Sequence, residues 1–249
     1  MSGPQPAPSH HSRSLLRGVA TFGSALVKSS RVFERTRTAV PGGGELATWR
    51  AGPTTGRPVL FLHGFCGDQS NMRPMALAVA KRRPVIVYDA RGHGKSVGFS
   101  APPTMRQLAD DLAAVLAQHA PDGAAAVGLS MGAQTIFQHF RARGGEGLHA
   151  LVFIDQSPKV VSDDTWSHGI FGQLQASELQ EVHDNLARSP RQLGRAWLRG
   201  MWRSDEHLAI KLLLTPGMAT GLRSVPAATL KLAADMLGQD WRAEIPKIR

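Results

Sequence analysis

The most informative run of residues in this chain is Gly128-Leu129-Ser130-Met131-Gly132. Small and apolar residues from Ala124 to Leu129 lead into it and predict a strand, and a helical pattern leads out of it from Met131 to Arg143. A serine on a sharp turn between a strand and a helix is typical of a nucleophile elbow, where flanking glycines leave room for the tight backbone. The run therefore predicts that Ser130 is a nucleophile.

A second motif, His63-Gly64-Phe65, follows the apolar run Val59-Leu60-Phe61-Leu62, which predicts a buried strand. Attack of a serine on a carbonyl group needs two backbone N–H groups that face the oxyanion of the tetrahedral intermediate. Met131, the residue after the nucleophile, supplies one, and we expect Phe65 to supply the other, with Gly64 allowing close approach of the backbone. We expect His63 to order this loop by hydrogen bonding, because in this architecture the catalytic base follows the serine.

Two further segments complete a family pattern, namely Tyr88-Asp89-Ala90-Arg91-Gly92-His93-Gly94-Lys95-Ser96 and Leu151-Val152-Phe153-Ile154-Asp155-Gln156-Ser157-Pro158. With the two motifs above, they make the chain resemble the α/β-hydrolase family, in the group that contains esterases, epoxide hydrolases and cofactor-free non-heme peroxidases. The resemblance implies an α/β fold with a mostly parallel sheet, helices on both faces and a helical cap. It also implies a serine-nucleophile hydrolase that acts on an ester-like or other small hydrophobic substrate, without a cofactor or metal.

The glycine-rich loop around Gly94-Lys95-Ser96 allows two nucleotide-binding interpretations, and the neighbouring residues exclude both. A P-loop requires glycine five residues before Gly94, where Asp89 stands. A dinucleotide fingerprint requires glycine at position 97, which is a valine. We therefore expect a structural turn, in which Arg91 and His93 hydrogen-bond neighbouring loops.

Composition fits a folded protein of one or two domains, with 249 residues, 42% hydrophobic residues and a mean hydropathy of −0.16. The single cysteine, Cys66, excludes an internal disulfide and is typical of a reducing compartment, so we expect a cytoplasmic protein. Cys66 also lies beside the oxyanion loop, where a nucleophilic role is conceivable, but the elbow serine is the stronger candidate. The net charge of +10 comes from scattered arginines without a recognisable nucleic-acid module, so we expect solvated surface charge and no nucleic-acid partner.

The order of motifs predicts four segments: an N-terminal extension over 1–31, a hydrolase core over 32–158, a helical cap over 159–241, and the start of a missing C-terminal part of the core over 242–249. Four of the five tryptophans lie in the expected cap, which favours an apolar pocket. Within 14–30, apolar residues recur at helical spacing among basic ones. A helix packed on the domain is favoured there over an interfacial membrane helix or a secretory signal.

The remaining pattern alternates strands and helices, as expected for a parallel sheet covered on both faces. Two antiparallel strands are expected first, joined by a glycine-rich turn. Strands are predicted at 32–39, 45–51, 85–88 and 151–155, and helices at 70–82 and 104–118, the latter with a capping box made by Thr104 and Gln107.

The motifs above do not identify the catalytic base or, apart from Asp155, a catalytic acid. In the resembling family both follow strands that come after the cap, and no histidine of this chain stands in that position. Asp155, at the end of its predicted strand, is the one acid in a place that some relatives use. Two classes of function stay open: a serine hydrolase impaired as this chain, or a non-catalytic binding or interaction protein that retains the scaffold.

Overall fold

Residues 32–169, 174–189 and 225–248 are described by the computed structural model of the protein. The helix expected within 14–30, and with it a contact to a membrane surface, lies outside these ranges, as do Trp197 and Trp202 of the expected cap. Whether the residues after 158 form a cap over the nucleophile stays a prediction. Among the helices of the described ranges, none combines the length and apolar character that crossing a bilayer requires.

Six strands form one mixed sheet. In chain order they are β1 (Glu34–Ala39), β2 (Glu45–Ala51), β3 (Val59–Leu62), β4 (Val85–Tyr88), β5 (Ala124–Leu129) and β6 (Leu148–Ile154). Their order across the sheet is β1-β2-β4-β3-β5-β6, with β2 antiparallel to both of its neighbours and the last four strands parallel. Parallel strands need crossover connections, and each connection here contains a helix.

Three helices make those crossovers: α1 (Gln69–Val79), α2 (Met105–His119) and α3 (Met131–Arg143). Helix α2 begins where the sequence predicts, because Thr104 and Gln107 cap each other's backbone N–H groups. After β6 the described chain contains α4 (Leu179–Arg188), α5 (Ala227–Leu230) and α6 (Leu232–Leu237), with short 3₁₀ turns at Ala176–Glu178 and Arg242–Lys247.

The core lies on both faces of the sheet, because the inner strands are apolar on both sides. In β3, Leu60 and Leu62 belong to one hydrophobic cluster and Phe61 to the other. The first cluster contains the inner faces of α2 and α3, and the second contains α1. Helices on both faces are the arrangement that buried parallel strands require.

The two edge strands of the described sheet differ in their surroundings. Strand β1 lies beyond the antiparallel β2, whereas β6 is the outer member of the parallel set. Although β6 is apolar in sequence, Val152 at its middle is 52% exposed. An exposed apolar edge of this kind can pair with another strand.

The segment 225–248 packs against the helices that follow β4 and β5. Trp241 is fully buried at 0% exposure, and its indole N–H donates to Oε1 of Gln138 at 3.0 Å. Asp235 of α6 accepts the N–H of Met105, the first residue of α2, at 2.6 Å. Residues 225–248 therefore bind the N-terminus of α2 and cover part of α3, although they are distant from both in sequence.

Most element boundaries agree with the prediction to within two residues, and two shift further. Helix α1 ends at Val79 rather than near 82, because the next residues turn toward β4. Gly52 approaches that turn so closely that a Cβ on it would lie 2.4 Å from the carbonyl oxygen of Arg83. Strand β6 begins at Leu148 rather than 151, because its first residues pair with β5 through an irregular register near Ala124.

Candidate active site

Ser130 occupies the turn between β5 and α3 in a conformation that few residues adopt. Its φ is +48° and its ψ is −112°, outside the regions that non-glycine residues normally populate. Its N–H donates to the carbonyl of Ile154 at 3.0 Å, and its own carbonyl accepts from Gln134 at 3.0 Å. Strain of this kind persists where the surroundings fix it, and it is common at functional sites.

The glycines on either side of the elbow are required by close contact rather than by dihedral angle. A Cβ on Gly132 would lie 2.4 Å from the carbonyl oxygen of Leu62 in β3. A Cβ on Gly128 would lie 2.6 Å from the backbone nitrogen of Ala133. Both distances are shorter than a van der Waals contact allows, so the elbow admits no side chain at either position.

The loop after β3 lies directly against the elbow. A Cβ built on Gly64 would be 3.6 Å from Cβ of Ser130, which is ordinary contact distance. Phe65 follows at the half-buried rim of the loop, and Met131 is the buried first residue of α3. The first N–H groups of a helix have no partner within the helix, so Met131 has a donor to offer at this point.

Both ring nitrogens of His63 are hydrogen-bonded to the backbone. Its Nε2 accepts the N–H of Ala90 at 2.9 Å, so its Nδ1 carries the proton and donates to the carbonyl of Gly64 at 2.8 Å. The ring therefore joins the loop after β3 to the loop after β4. This is the geometry of a side chain that orders a loop, and neither nitrogen is free to act as a base.

Asp89 organises the loop after β4 from its centre. Its carboxylate accepts the N–H of Gln69 at 2.7 Å and the N–H of Lys95 at 2.7 Å. Burial raises the pKa of this carboxyl, while His63 and the two backbone donors oppose that rise. Gly94 must be glycine beside it, since a Cβ there would lie 2.1 Å from Oδ2 of Asp89.

Arg91 and Asp111 form a bidentate ion pair in the interior. Nε of Arg91 donates to Oδ2 at 2.7 Å, and Nη2 donates to Oδ1 at 2.5 Å. Arg91 also reaches the carbonyl of Pro41 at 3.3 Å, in the turn between β1 and β2. The expectation that Arg91 bonds a neighbouring loop is thus confirmed, and its principal partner is a helix residue that no local sequence pattern identifies.

Asp155 lies next to the elbow in the sheet, and no hydrogen bond joins it to Ser130 in the described part of the chain. It follows β6 directly, where the carbonyl of the preceding Ile154 accepts the N–H of Ser130. Its φ is +50° and its side chain is exposed. A role for Asp155 as the catalytic acid stays a prediction.

Within the three described ranges, no side chain is hydrogen-bonded to the hydroxyl of Ser130. Four described histidines make side-chain hydrogen bonds, and none of these bonds reaches Ser130: His63 and His93 bond loop backbone, His119 bonds Thr38, and His139 bonds the carbonyl of Glu146. In the same ranges, no group of three or more His, Cys, Asp or Glu residues is arranged to hold a metal ion.

Cys66 is buried, which argues against the nucleophilic role considered for it. Its side chain packs with Val225, Leu230 and Phe65, and burial raises the pKa of the thiol to about 12. A thiol in an apolar environment is poorly reactive, because the thiolate is the nucleophile. Desolvation of the thiol therefore argues against Cys66 as the nucleophile, a role that the sequence already disfavours.

A direct measurement follows from this burial. The thiol of Cys66 is expected to react with a maleimide far more slowly in the folded protein than in concentrated guanidinium chloride, because burial raises the pKa of the thiol and leaves less of the reactive thiolate. Counting labelled protein by mass spectrometry over time checks this. Equal rates in folded and unfolded protein would contradict the buried position of the thiol.

A cavity of about 640 Å³ lies beside the loop after β3, and its lining includes Cys66, His93, Phe99 and Pro226. Ser130 is not part of that lining. Sequence reasoning missed the contribution of residues 225–229 to this region, because no local pattern connects them to the loops after β3 and β4. Thr229 makes the connection by donating to the carbonyl of Gly92 at 3.1 Å.

Known proteins resemble this chain in sequence and in fold. A pimeloyl-[acyl-carrier protein] methyl ester esterase from Chromobacterium violaceum is 36% identical over 113 residues, which is 45% of this chain and 42% of that protein. An sn-1-specific diacylglycerol lipase from Danio rerio is 31% identical over 134 residues, covering 53% of this chain and 41% of that protein. The matches thus span about two-fifths of the length of these relatives.

The fold has close counterparts among solved structures. An esterase from Exiguobacterium antarcticum superimposes with a TM-score of 0.70 at 18% identity, over 87% of this chain and 78% of that one. At this identity the likeness concerns the fold alone. The sequence model described as the alpha/beta hydrolase family matches residues 59–248, which is more than half of the chain. The fold, the elbow motif and this match together lead to one conclusion: the protein belongs to the α/β-hydrolase family.

Proposed function

We propose that the chain is a serine hydrolase for ester-like bonds in small hydrophobic substrates. The observation that supports this most is the conformation of Ser130, whose φ of +48° is held at the junction of β5 and α3 beside the oxyanion loop. Backbone strain of this kind is held in place by the surrounding structure and is common at functional sites. Its value is that the hydroxyl projects from the edge of the sheet.

In the proposed reaction, the Ser130 oxygen attacks the ester carbonyl carbon and the N–H groups of Phe65 and Met131 hold the oxyanion. The alcohol leaves, an acyl group stays on Ser130, and water then releases the acid. Removing the serine proton needs a base, which the family resemblance assigns to a histidine that follows the cap. The names of both sequence relatives describe ester substrates, which supports the substrate class.

The alternative is a binding protein that retains the scaffold. It is favoured by the observation that, within the described parts of the chain, the Ser130 hydroxyl has no side-chain partner able to take its proton. Such a protein would keep the pocket and lack turnover. A covalent probe of the serine separates the two proposals.

An alkyl fluorophosphonate is expected to label the protein at Ser130, and to do so slowly. Loss of one member of a catalytic triad can cost on the order of a millionfold in turnover, with the oxyanion donors and binding supplying what is left. The measurement is the labelling rate followed by peptide mapping. Ser130→Ala should abolish labelling, whereas Ser70→Ala, which alters a half-buried serine in the first turn of α1, should leave it unchanged.

The site and the rate of labelling decide between the proposals. Labelling confined to Ser130 supports the hydrolase, and labelling as fast as that of an ordinary esterase would indicate that a base within the chain serves the reaction. A folded protein that shows no labelling at Ser130 would contradict the hydrolase and favour the binding protein.

A further inference from the structure

The oxyanion loop contains a second strained residue, immediately after the proposed donor Phe65. A tight turn runs from Gly64 to Gly67 and is closed by the N–H of Gly67, which donates to the carbonyl of Gly64 at 3.0 Å. Cys66 stands at the third position of this turn with a φ of +58°. That position of a type II turn requires positive φ and normally holds glycine, so a cysteine there needs support from outside the turn.

The support comes from His93, in the loop after β4. Its Nε2 accepts the N–H of Cys66 at 3.3 Å. On the other side of the ring, Nδ1 donates to the carbonyl of Arg91 at 3.0 Å, because a carbonyl oxygen can only accept. This pair of contacts defines the tautomer, with the proton on Nδ1 and the lone pair of Nε2 directed at the turn.

The environment of His93 keeps it neutral. The side chain is only 2% exposed, and burial lowers its pKa to about 3, with a smaller contribution from His63. A neutral imidazole is needed here, since the protonated ring would carry a hydrogen on Nε2 and could not accept the N–H of Cys66. The acceptor is therefore present throughout the neutral pH range.

The same ring also contacts the side chain of the proposed donor. The edge of the His93 ring packs against Phe65 with ring centroids 5.8 Å apart, and against His63 with centroids 5.3 Å apart. His93 thus contacts the peptide that follows Phe65 as well as the Phe65 ring.

We propose that His93 is a positioning residue of the oxyanion hole: by accepting the N–H of Cys66 it holds the turn in its left-handed conformation and so directs the N–H of Phe65 toward Ser130. This inference rests on the proposed hydrolase function. The hydrogen bonds of His93 go to the backbone of Cys66 and Arg91 and not to Ser130, so in this proposal it acts through the loop. Its effect should therefore depend on the backbone preference of residue 66.

A pair of polar variants isolates the hydrogen bond. In His93→Gln the amide oxygen reaches the position of Nε2 and can still accept the N–H of Cys66. In His93→Asn the shorter amide reaches only the position of Nδ1. We expect His93→Asn to lower the rate of fluorophosphonate labelling at Ser130 by about 10- to 100-fold, below the roughly 10²–10³ that complete loss of a donor costs, and His93→Gln to stay within about threefold of the parent.

The Cys66→Gly variant tests whether the effect of His93 depends on the backbone conformation of residue 66. Glycine adopts positive φ without penalty, so in Cys66→Gly protein the turn no longer depends on His93. There, His93→Asn should change the labelling rate by less than about threefold relative to Cys66→Gly alone. If His93 only filled space, His93→Asn would lower the labelling rate equally in the parent and in the Cys66→Gly protein.

Hydrogen exchange of the residue 66 amide gives a readout that does not need a reactive serine. It should accelerate in His93→Asn and not in His93→Gln, while the amide of Gln69, held by Asp89, keeps its protection. Equal losses of labelling in the parent and Cys66→Gly backgrounds, or unchanged exchange in His93→Asn, would overturn the proposal while the hydrolase stands. Absence of labelling in the parent would overturn the hydrolase itself and, with it, the role in the oxyanion hole.

Discussion

Gly132→Ala is expected to destabilise the protein by about 3 kcal/mol or more, the upper end of what overpacking a core costs. The added Cβ would lie 2.4 Å from the carbonyl oxygen of Leu62 and 2.7 Å from the Leu62 carbonyl carbon. These are backbone atoms of β3, a strand that is paired on both sides and cannot move alone. Relief would require separating α3 from the sheet.

The comparison variant is Gly238→Ala. Gly238 has a φ of −75°, and a Cβ there would meet the carbonyl oxygen of Ala234 at 3.6 Å, which is ordinary contact. Urea unfolding followed by circular dichroism compares the two midpoints. If both variants unfold within about 0.5 kcal/mol of each other, the close packing of the elbow against β3 is not what makes Gly132 necessary.

Asp111→Ala is expected to cost about 3–5 kcal/mol, because it leaves the Arg91 guanidinium charged and buried without its partner. The side chains are 5% and 1% exposed, so water cannot replace the lost carboxylate. Burial raises the pKa of Asp111, and the hydrogen bonds from Arg91 oppose that rise. Apolar replacement of both residues, Arg91→Met with Asp111→Leu, should cost less than the sum of the two single changes.

A surface pair on the same helix provides the control. Arg106 and Asp110 are 3.2 Å apart, with Arg106 63% exposed, and such pairs contribute about 0.3–0.5 kcal/mol. Arg106→Ala should therefore change the free energy of unfolding by less than about 0.5 kcal/mol. A cost for Asp111→Ala as small as that for Arg106→Ala would show that the interior pair is solvated in the folded protein.

The sequence was sufficient to predict the strand, the sharp turn and the helix around Ser130, because their requirements are local. A strand, a serine between two glycines and a helix are all contiguous, and the close contacts at Gly128 and Gly132 confirm why those residues have no side chain. Strands β2, β3, β4 and β5 were likewise readable from apolar runs bounded by turn residues. Residues that are neighbours in the chain determine these features.

What the sequence did not reveal are contacts between residues far apart. The partner of Arg91 is Asp111, which reads simply as one charge on an amphipathic helix. The burial of Cys66 depends on Val225 and Leu230, which lie far along the chain from it. The start of β6 depends on its pairing with β5, since His149 and Ala150 have no strong strand preference of their own. Tertiary packing decides each of these cases.

The contacts of the 225–248 segment bear on the order in which the chain can fold as it is made. Asp235 accepts the first N–H of α2, and the Trp241 ring stacks against Phe137 of α3. Both helices therefore make contacts with residues that are synthesised about a hundred or more positions later. At about 5–20 residues per second, a ribosome needs roughly 5–20 seconds to add a hundred residues. During that interval the surfaces of α2 and α3 that residues 225–248 cover in the folded protein stay uncovered.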